Sequence, residues 1–239
     1  KSCQLRRQRL NLSSRVFYRN RPAKACGGFF MTAANTPQPP LGFDPRLVPV
    51  LGVDDQLPKV SAQALQVSSL VQRFASQHIW TPELLDEPRF SQRAPVHASV
   101  LVPLVMRDSG LTVLLTERTA NLSSHSGQVA FPGGKADPED RDAIETALRE
   151  AQEEVGLERG LVQVLGSLPI YTTGSAFLVT PVVALVQPSH VVTANPFEVA
   201  DVFEVPLSFL MDPANHRRHS LEWAGSQREW LSMPYVDTK

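Results

Sequence analysis

Residues 147–157, ALREAQEEVGL, hold the pattern on which the reading of this chain turns. Ala147, Leu148, Ala151 and Val155 recur at helical spacing, and Ile144 extends the same apolar stripe by a turn. Gly156 can take the left-handed conformation that closes a helix. Upstream, Asp137 and Pro138 make an N-cap and first-position pair, and Glu139 and Asp140 suit the positive first turn, so the pattern predicts a helix over 138–155. Three carboxylates break this frame. Glu150, Glu153 and Glu154, at i, i+3 and i+4, repel one another and crowd the negative end of the helix, largely off the apolar stripe. A solvated acidic face has this look, but two neighbouring features point to a cation site. In AFPGGK (130–135), Gly133 and Gly134 let the backbone pass close to a ligand or metal. Arg149 carries a planar fork that can orient a carboxylate. Mg²⁺ takes oxygen ligands, one or two carboxylates among them, together with waters and substrate phosphates. The repulsion is then relieved when the ion binds.

Outward from the helix, the chain reads as strands. ASVLVPLVM (98–106) and LTVLLTE (111–117) flank RDSG (107–110), a hairpin turn, and QVAF (128–131) is a short apolar run. Beyond the helix, 161–171 and 177–186 read as strands, 198–210 ends in EVPLSFL, and HSLEW (219–223) with REWLSMPYV (228–236) reads as a late hairpin. Residues 61–78 have helical periodicity through Leu65, Val67, Leu70, Val71 and Phe74, and a Pro-spotted connection follows to about residue 96. Residues 32–60 form a Pro-rich, extended lead-in. There are no internal repeats. Strands on both sides of a central helix argue for an α/β or α+β sandwich.

The formal charge of −1 hides an asymmetry. Residues 1–30 hold eight of the 23 basic residues and none of the 24 acidic ones, so the rest of the chain carries a formal charge of −9. Both cysteines, Cys3 and Cys26, lie in that basic segment. The body therefore offers neither a thiolate metal site nor a thiol nucleophile. The segment fits an organellar transit peptide, a nucleic-acid-binding arm, or a stretch outside the natural domain, with Met31 as a natural start; the last reading is preferred. The expected organisation is a basic segment over 1–30, a lead-in over 31–60 and one catalytic domain over 61–239. No apolar run approaches the roughly 20 residues of a membrane span.

GGKADPEDRDAIETALREAQEEVGL (133–157) resembles the Nudix box. Arg149, Glu150, Ala151, Glu153, Glu154, Gly156 and Leu157 match its second half at every position. In the first half, Arg141 stands where the usual Glu falls, and one extra residue restores an acid at Asp140. LLTERTANLSSHSGQVAFPGG (114–134) is similar to the extended signature of the coenzyme A pyrophosphatase branch. Leu114, Leu115, Thr116, Arg118, Gly127, Phe131, Pro132, Gly133 and Gly134 are in place, while Thr119 and Ser123 depart.

The resemblance implies an α/β/α sandwich with a mixed sheet and Mg²⁺- or Mn²⁺-dependent hydrolysis of coenzyme A to 3′,5′-ADP and 4′-phosphopantetheine. It implies Glu150 and Glu154 as principal metal ligands, with Glu153 completing the shell or orienting the water beside a catalytic Arg149. Arg118, Gly133, Gly134 and Lys135 are the expected substrate contacts, and Arg141 is a further cation near the box. The general base need not come from the helix, since this family often recruits one from a loop, and the sequence does not identify it. His125 beside Ser126 is read as a loop hydrogen bond, since adjacent residues rarely present a nucleophile and its base to each other. Two alternatives stay open: another nucleoside diphosphate substrate such as NADH or ADP-ribose, and a non-catalytic binding module, which retention of all three glutamates opposes. The expected partner is a small molecule, with no nucleic acid and no membrane, and the resemblance leaves room for a homodimer. The expected location is the cytoplasm, or an organelle if the basic segment is a transit peptide. Similar chains continue past MPYVD into a C-terminal helix, which this chain is expected to lack.

Overall fold

A computed structural model describes residues 15–19, 47–76, 94–119, 127–223 and 226–236. In chain order its strands begin with β1 (Arg15–Arg19) and β2 (Gly52–Val53), followed by a 3₁₀ turn (Ala62–Leu65) and helix α1 (Val67–Ala75). Strands β3 (Val96–Arg107), β4 (Gly110–Arg118), β5 (Val129–Ala130) and β6 (Gly133–Lys135) lead to helix α2 (Ala143–Val155). Then come β7 (Val162–Ser167), β8 (Tyr171–Thr172), β9 (Phe177–Val186), β10 (Val199–Pro206), the short α3 (Leu207–Leu210), β11 (Arg217–Trp223) and β12 (Ser226–Tyr235).

The main sheet runs β10-β4-β3-β9-β7, with β5 on β4, β6 on β3 and β8 on β9. It is mixed: β3 lies parallel to β9, whereas β4 and β6 are antiparallel to β3. Its central strands are apolar on both faces, as strands covered on both sides must be. On one face Leu101, Val105, Leu114, Val182 and Val186 pack against Ala147, Ala151 and Val155 of α2. On the other, Val102, Val113, Leu115, Leu185 and Val205 meet Leu207 and Leu210 of α3, with Leu70 and Phe74 of α1 packed against them. The architecture is an α/β/α sandwich. A second sheet, β1-β12-β11-β2, places β1 parallel to β12, so residues 15–19 of the basic segment pair with one end of the chain and β2 of the lead-in with its hairpin. No helix of the described residues is long and apolar enough to cross a membrane.

Three expectations are corrected. The helix over 138–155 begins at Ala143, capped by Asp142, whose side chain accepts from the Glu145 N–H. Pro138 and Glu139 form a turn instead, because Asp137 accepts from the Glu139 N–H and Asp140 turns back to the Asp137 N–H. Residues 61–76 are not one helix: extended Gln66 (φ −75°, ψ 150°) separates the 3₁₀ turn from α1. The strand over 161–171 divides into β7 and β8, with a register shift at Val164/Gly166 (φ +156° at Gly166) and Pro169 in the gap between the strands. The run 198–210, to which the sequence reading assigns no element, is strand β10 up to Pro206 and then finishes as α3. The Pro-spotted connection over 77–93, the Ser123, His125 and Ser126 loop, and the two cysteines lie outside the described residues.

Candidate active site

The site forms where the last turns of α2 pass behind β6. Pairing of Gly133 with Val100 and of Gly134 with Ser99 fixes β6 across the beginning of β3. Burial of the α2 stripe then turns Glu150 and Glu154 toward that strand. The Gly133 N–H donates to Glu154 Oε2 at 3.1 Å. A Cβ at Gly134 would stand 2.5 Å from the Glu150 carboxyl carbon, and one at Gly133 would stand 2.4 Å from the Ser99 carbonyl oxygen. The two glycines thus make room first for the protein's own groups.

Glu154 departs from the expected position off the stripe: it is 4% exposed, at the edge of the α2 core. Burial pushes its carboxyl up to about 7, against the Gly133 N–H and the Arg118 guanidinium, and the charges of Glu150 and Glu198 add to the rise. Arg118, at the end of β4, brings Nη1 to 3.8 Å from Glu154 Oε1, and its Nε is buried without a hydrogen-bond partner among the described residues. Glu150 is also raised, first by burial and also by Glu153 and Glu198, although Arg149 opposes the shift.

Arg149 organises the acids. Its Nε and Nη2 grip both oxygens of Asp140 at 3.0 and 2.9 Å, a bidentate fork. Nη1 donates to Glu150 at 3.0 Å and to Glu153 at 3.1 Å, and Nη2 reaches the Lys135 carbonyl at 3.0 Å. The fork holds the Asp140 carboxyl far below the usual carboxylate range and raises Arg149 in turn. Asp140, the acid displaced by one residue in the sequence pattern, is therefore the buried anchor of Arg149. Glu153 is the open one of the three glutamates, its side chain 56% exposed.

Other candidates sit apart from the acids. The Lys135 ammonium lies 6.0 Å from the centre of the Phe177 ring. Arg141 is an exposed partner of Glu145 through its Nε (2.7 Å), at the opposite end of α2. The sequence reading missed Glu198. It stands just before β10, its carbonyl accepts from the Thr119 N–H at 3.0 Å, and its charge is felt by both Glu150 and Glu154. Only strand pairing, Val199 against Arg118, brings it there.

The donor set fits a hard divalent cation. Glu150 and Glu154 offer carboxylate oxygens one helical turn apart, which suits Mg²⁺ or Mn²⁺ completed by waters and phosphate oxygens. As they stand, Glu150 is held by Arg149 and Glu154 by Gly133 and Arg118, and among the described residues no three such side chains form a closed ligand set.

A NUDIX domain model matches residues 95–224. The chain is 43% identical over 163 residues to an uncharacterized Nudix hydrolase, NudL, of Photorhabdus laumondii, covering 68% of this chain and 83% of that protein. It is 41% identical over 183 residues to the uncharacterized NudL of Yersinia enterocolitica, covering 72% and 89%. Among solved structures, a Nudix hydrolase of M. smegmatis, RenU, is similar over 51% of this chain and 77% of its own, with 23% identity and a TM-score of 0.43.

Proposed function

The chain belongs to the Nudix hydrolase family, and we propose that it hydrolyses the pyrophosphate bond of coenzyme A and its derivatives, releasing 3′,5′-ADP and 4′-phosphopantetheine or its acyl form. One observation carries the choice of branch. The residues of the extended signature, scattered over 114–134, fold into the frame of the site. The Gly127 N–H donates to the Arg118 carbonyl at 3.1 Å and the Arg118 N–H to the Gln128 carbonyl at 2.9 Å. Thr116 Oγ1 donates to the Ala130 carbonyl at 3.1 Å. This hairpin sets Arg118 and Gly133 on the two oxygens of Glu154.

Glu150 and Glu154 would hold the metal, which supplies neutralisation of the diphosphate charge and a water acidified for attack. Gly133 and Arg149 aim the two carboxylates, and Asp140 fixes Arg149. Arg118 would turn a half-buried cation toward the phosphates. In the reaction a water oxygen adds to phosphorus as the bridging P–O bond breaks, and the bond's electron pair leaves with the departing phosphate. Glu153, open to solvent, and Glu198, from the loop before β10, are the carboxylates placed to take the water's proton. The deciding assay incubates the chain with Mg²⁺ or Mn²⁺ and, separately, coenzyme A, acetyl-coenzyme A, NADH and ADP-ribose, with products identified by mass. Release of 3′,5′-ADP at the highest kcat/KM supports the reading; faster cleavage of NADH or ADP-ribose overturns it.

A further inference from the structure

Phe197 has no part in the arrangement above. It is 83% exposed, the most of any large apolar side chain among the described residues and the one aromatic among those exposed. Its backbone, by contrast, is tied on both sides. The Phe197 N–H donates to Asn195 Oδ1 at 3.1 Å, and its carbonyl accepts from Thr119 Oγ1 at 3.3 Å. The Asn195 N–H in turn donates to the Glu154 carbonyl at 2.8 Å, in the last turn of α2. The ring is therefore presented to solvent from a support anchored to both sides of the site: Thr119 follows Arg118, and Glu198 follows Phe197.

We propose that Phe197 is a stacking platform for the nucleobase of the substrate, placed so that the diphosphate lies at Glu150, Glu154 and Arg118. The proposal rests on the reading of this centre as a nucleoside diphosphate hydrolase. An aromatic ring with few rotatable bonds offers a flat face at low entropic cost. Strand pairing sets Arg118 opposite Val199, two residues beyond Phe197, so one ligand can meet the cation with its phosphates and the ring with its base. Because every base has a π face, such a platform selects nucleotides over other diphosphates and does not tell the bases apart.

Titration of ADP and of inorganic pyrophosphate, each with Mg²⁺, into the full chain and its Phe197→Ala, Phe197→Leu and Phe197→Trp variants tests this. ADP affinity is expected to fall about tenfold in Phe197→Ala and Phe197→Leu, and to hold or tighten in Phe197→Trp. Pyrophosphate affinity should be the same in all four. Equal ADP affinity in wild type and Phe197→Ala, no measurable ADP binding by wild type, or parallel losses for ADP and pyrophosphate each overturn the proposal. A change of oligomeric state in Phe197→Ala with ADP affinity intact does so as well. Coenzyme A hydrolysis is followed on the same samples. Its absence alongside ring-dependent ADP binding removes the coenzyme A reading and leaves the platform standing.

Discussion

A methyl group added at Gly134 would meet the tip of a flexible side chain, the Glu150 carboxylate; one added at Gly133 would meet the Ser99 carbonyl and the Val100 Cα, which are backbone. The two substitutions should therefore part company. Gly133→Ala should lower stability by roughly 2 kcal/mol or more, the usual cost of overpacking. Gly134→Ala should unfold almost like wild type yet lose about a hundredfold in turnover, since it displaces Glu150. Denaturant titration and kcat/KM on both variants check the split, and a fully active Gly134→Ala would show that the place of Glu150 does not matter. Glu154 gives a test in pH. Its folded value of about 7 lies above the usual carboxylate value, so its burial adds stability below about pH 4, and that contribution is lost as pH rises through 7. In metal-free buffer, Glu154→Gln should match wild type near pH 4 and exceed it by roughly 2–4 kcal/mol at pH 8. With Mg²⁺, its turnover should fall by orders of magnitude, as should that of Glu150→Gln. Full activity in both variants would sink the metal assignment. The glutamates were legible because three carboxylates crowded into little more than one turn violate helix electrostatics at the C-terminal end of α2. Glu198, 44 residues from Glu154, breaks no local rule, and only the β10–β4 register brings it to the site.

The helix α2 shows where sequence legibility ends. Its C-terminus was readable, because Gly156 at φ +69° is a position that an L side chain occupies only with strain. Its start was misplaced, because Asp137, Asp140 and Asp142 are all credible caps and sequence alone does not say which acid another residue recruits. Arg149 takes Asp140 from nine residues away, and Asp142 is left to cap. Asp142→Ala should accordingly cost about 1 kcal/mol, and Asp137→Ala, which loosens only the preceding turn, well under half of that. Equal losses in the two melting curves would restore the longer helix. The strands were easier. β3, β4 and β9 are near-continuous apolar runs ended by turn residues, and the 107–110 turn closes the hairpin as expected, with Arg107 paired to Gly110. The short breaks were harder: the shift at Gly166 and the α3 turn after Pro206 answer to packing of Phe74 against Gly166 and of Leu207 in the core.

At the scale of the whole molecule, the two sheets divide the work. The eight-stranded sheet, α2 and the loops that join them hold every residue assigned to the chemistry, whereas β1 belongs to the smaller sheet, as the partner of β12 from Arg15↔Leu231 to Arg19↔Tyr235. On the proposal that residues 1–30 stand outside the catalytic machinery, a chain beginning at Met31 should keep its metal-dependent turnover. Removing β1 uncovers the β12 edge, at a cost of about 1 kcal/mol, or roughly 2–4 °C in Tm for a chain of this size. Removing eight positive charges also leaves a formal charge of −9. That change slows the approach of an anionic diphosphate at low ionic strength, and added salt should screen the effect away. The expected result is therefore a KM that rises modestly at low salt and returns to the full-length value at 0.15 M, with kcat unchanged. Both chains are to be compared by circular dichroism, melting and Mg²⁺-dependent release of 3′,5′-ADP across a salt series. A chain from Met31 that keeps its circular dichroism but loses kcat at every salt concentration would place the basic segment inside the active site.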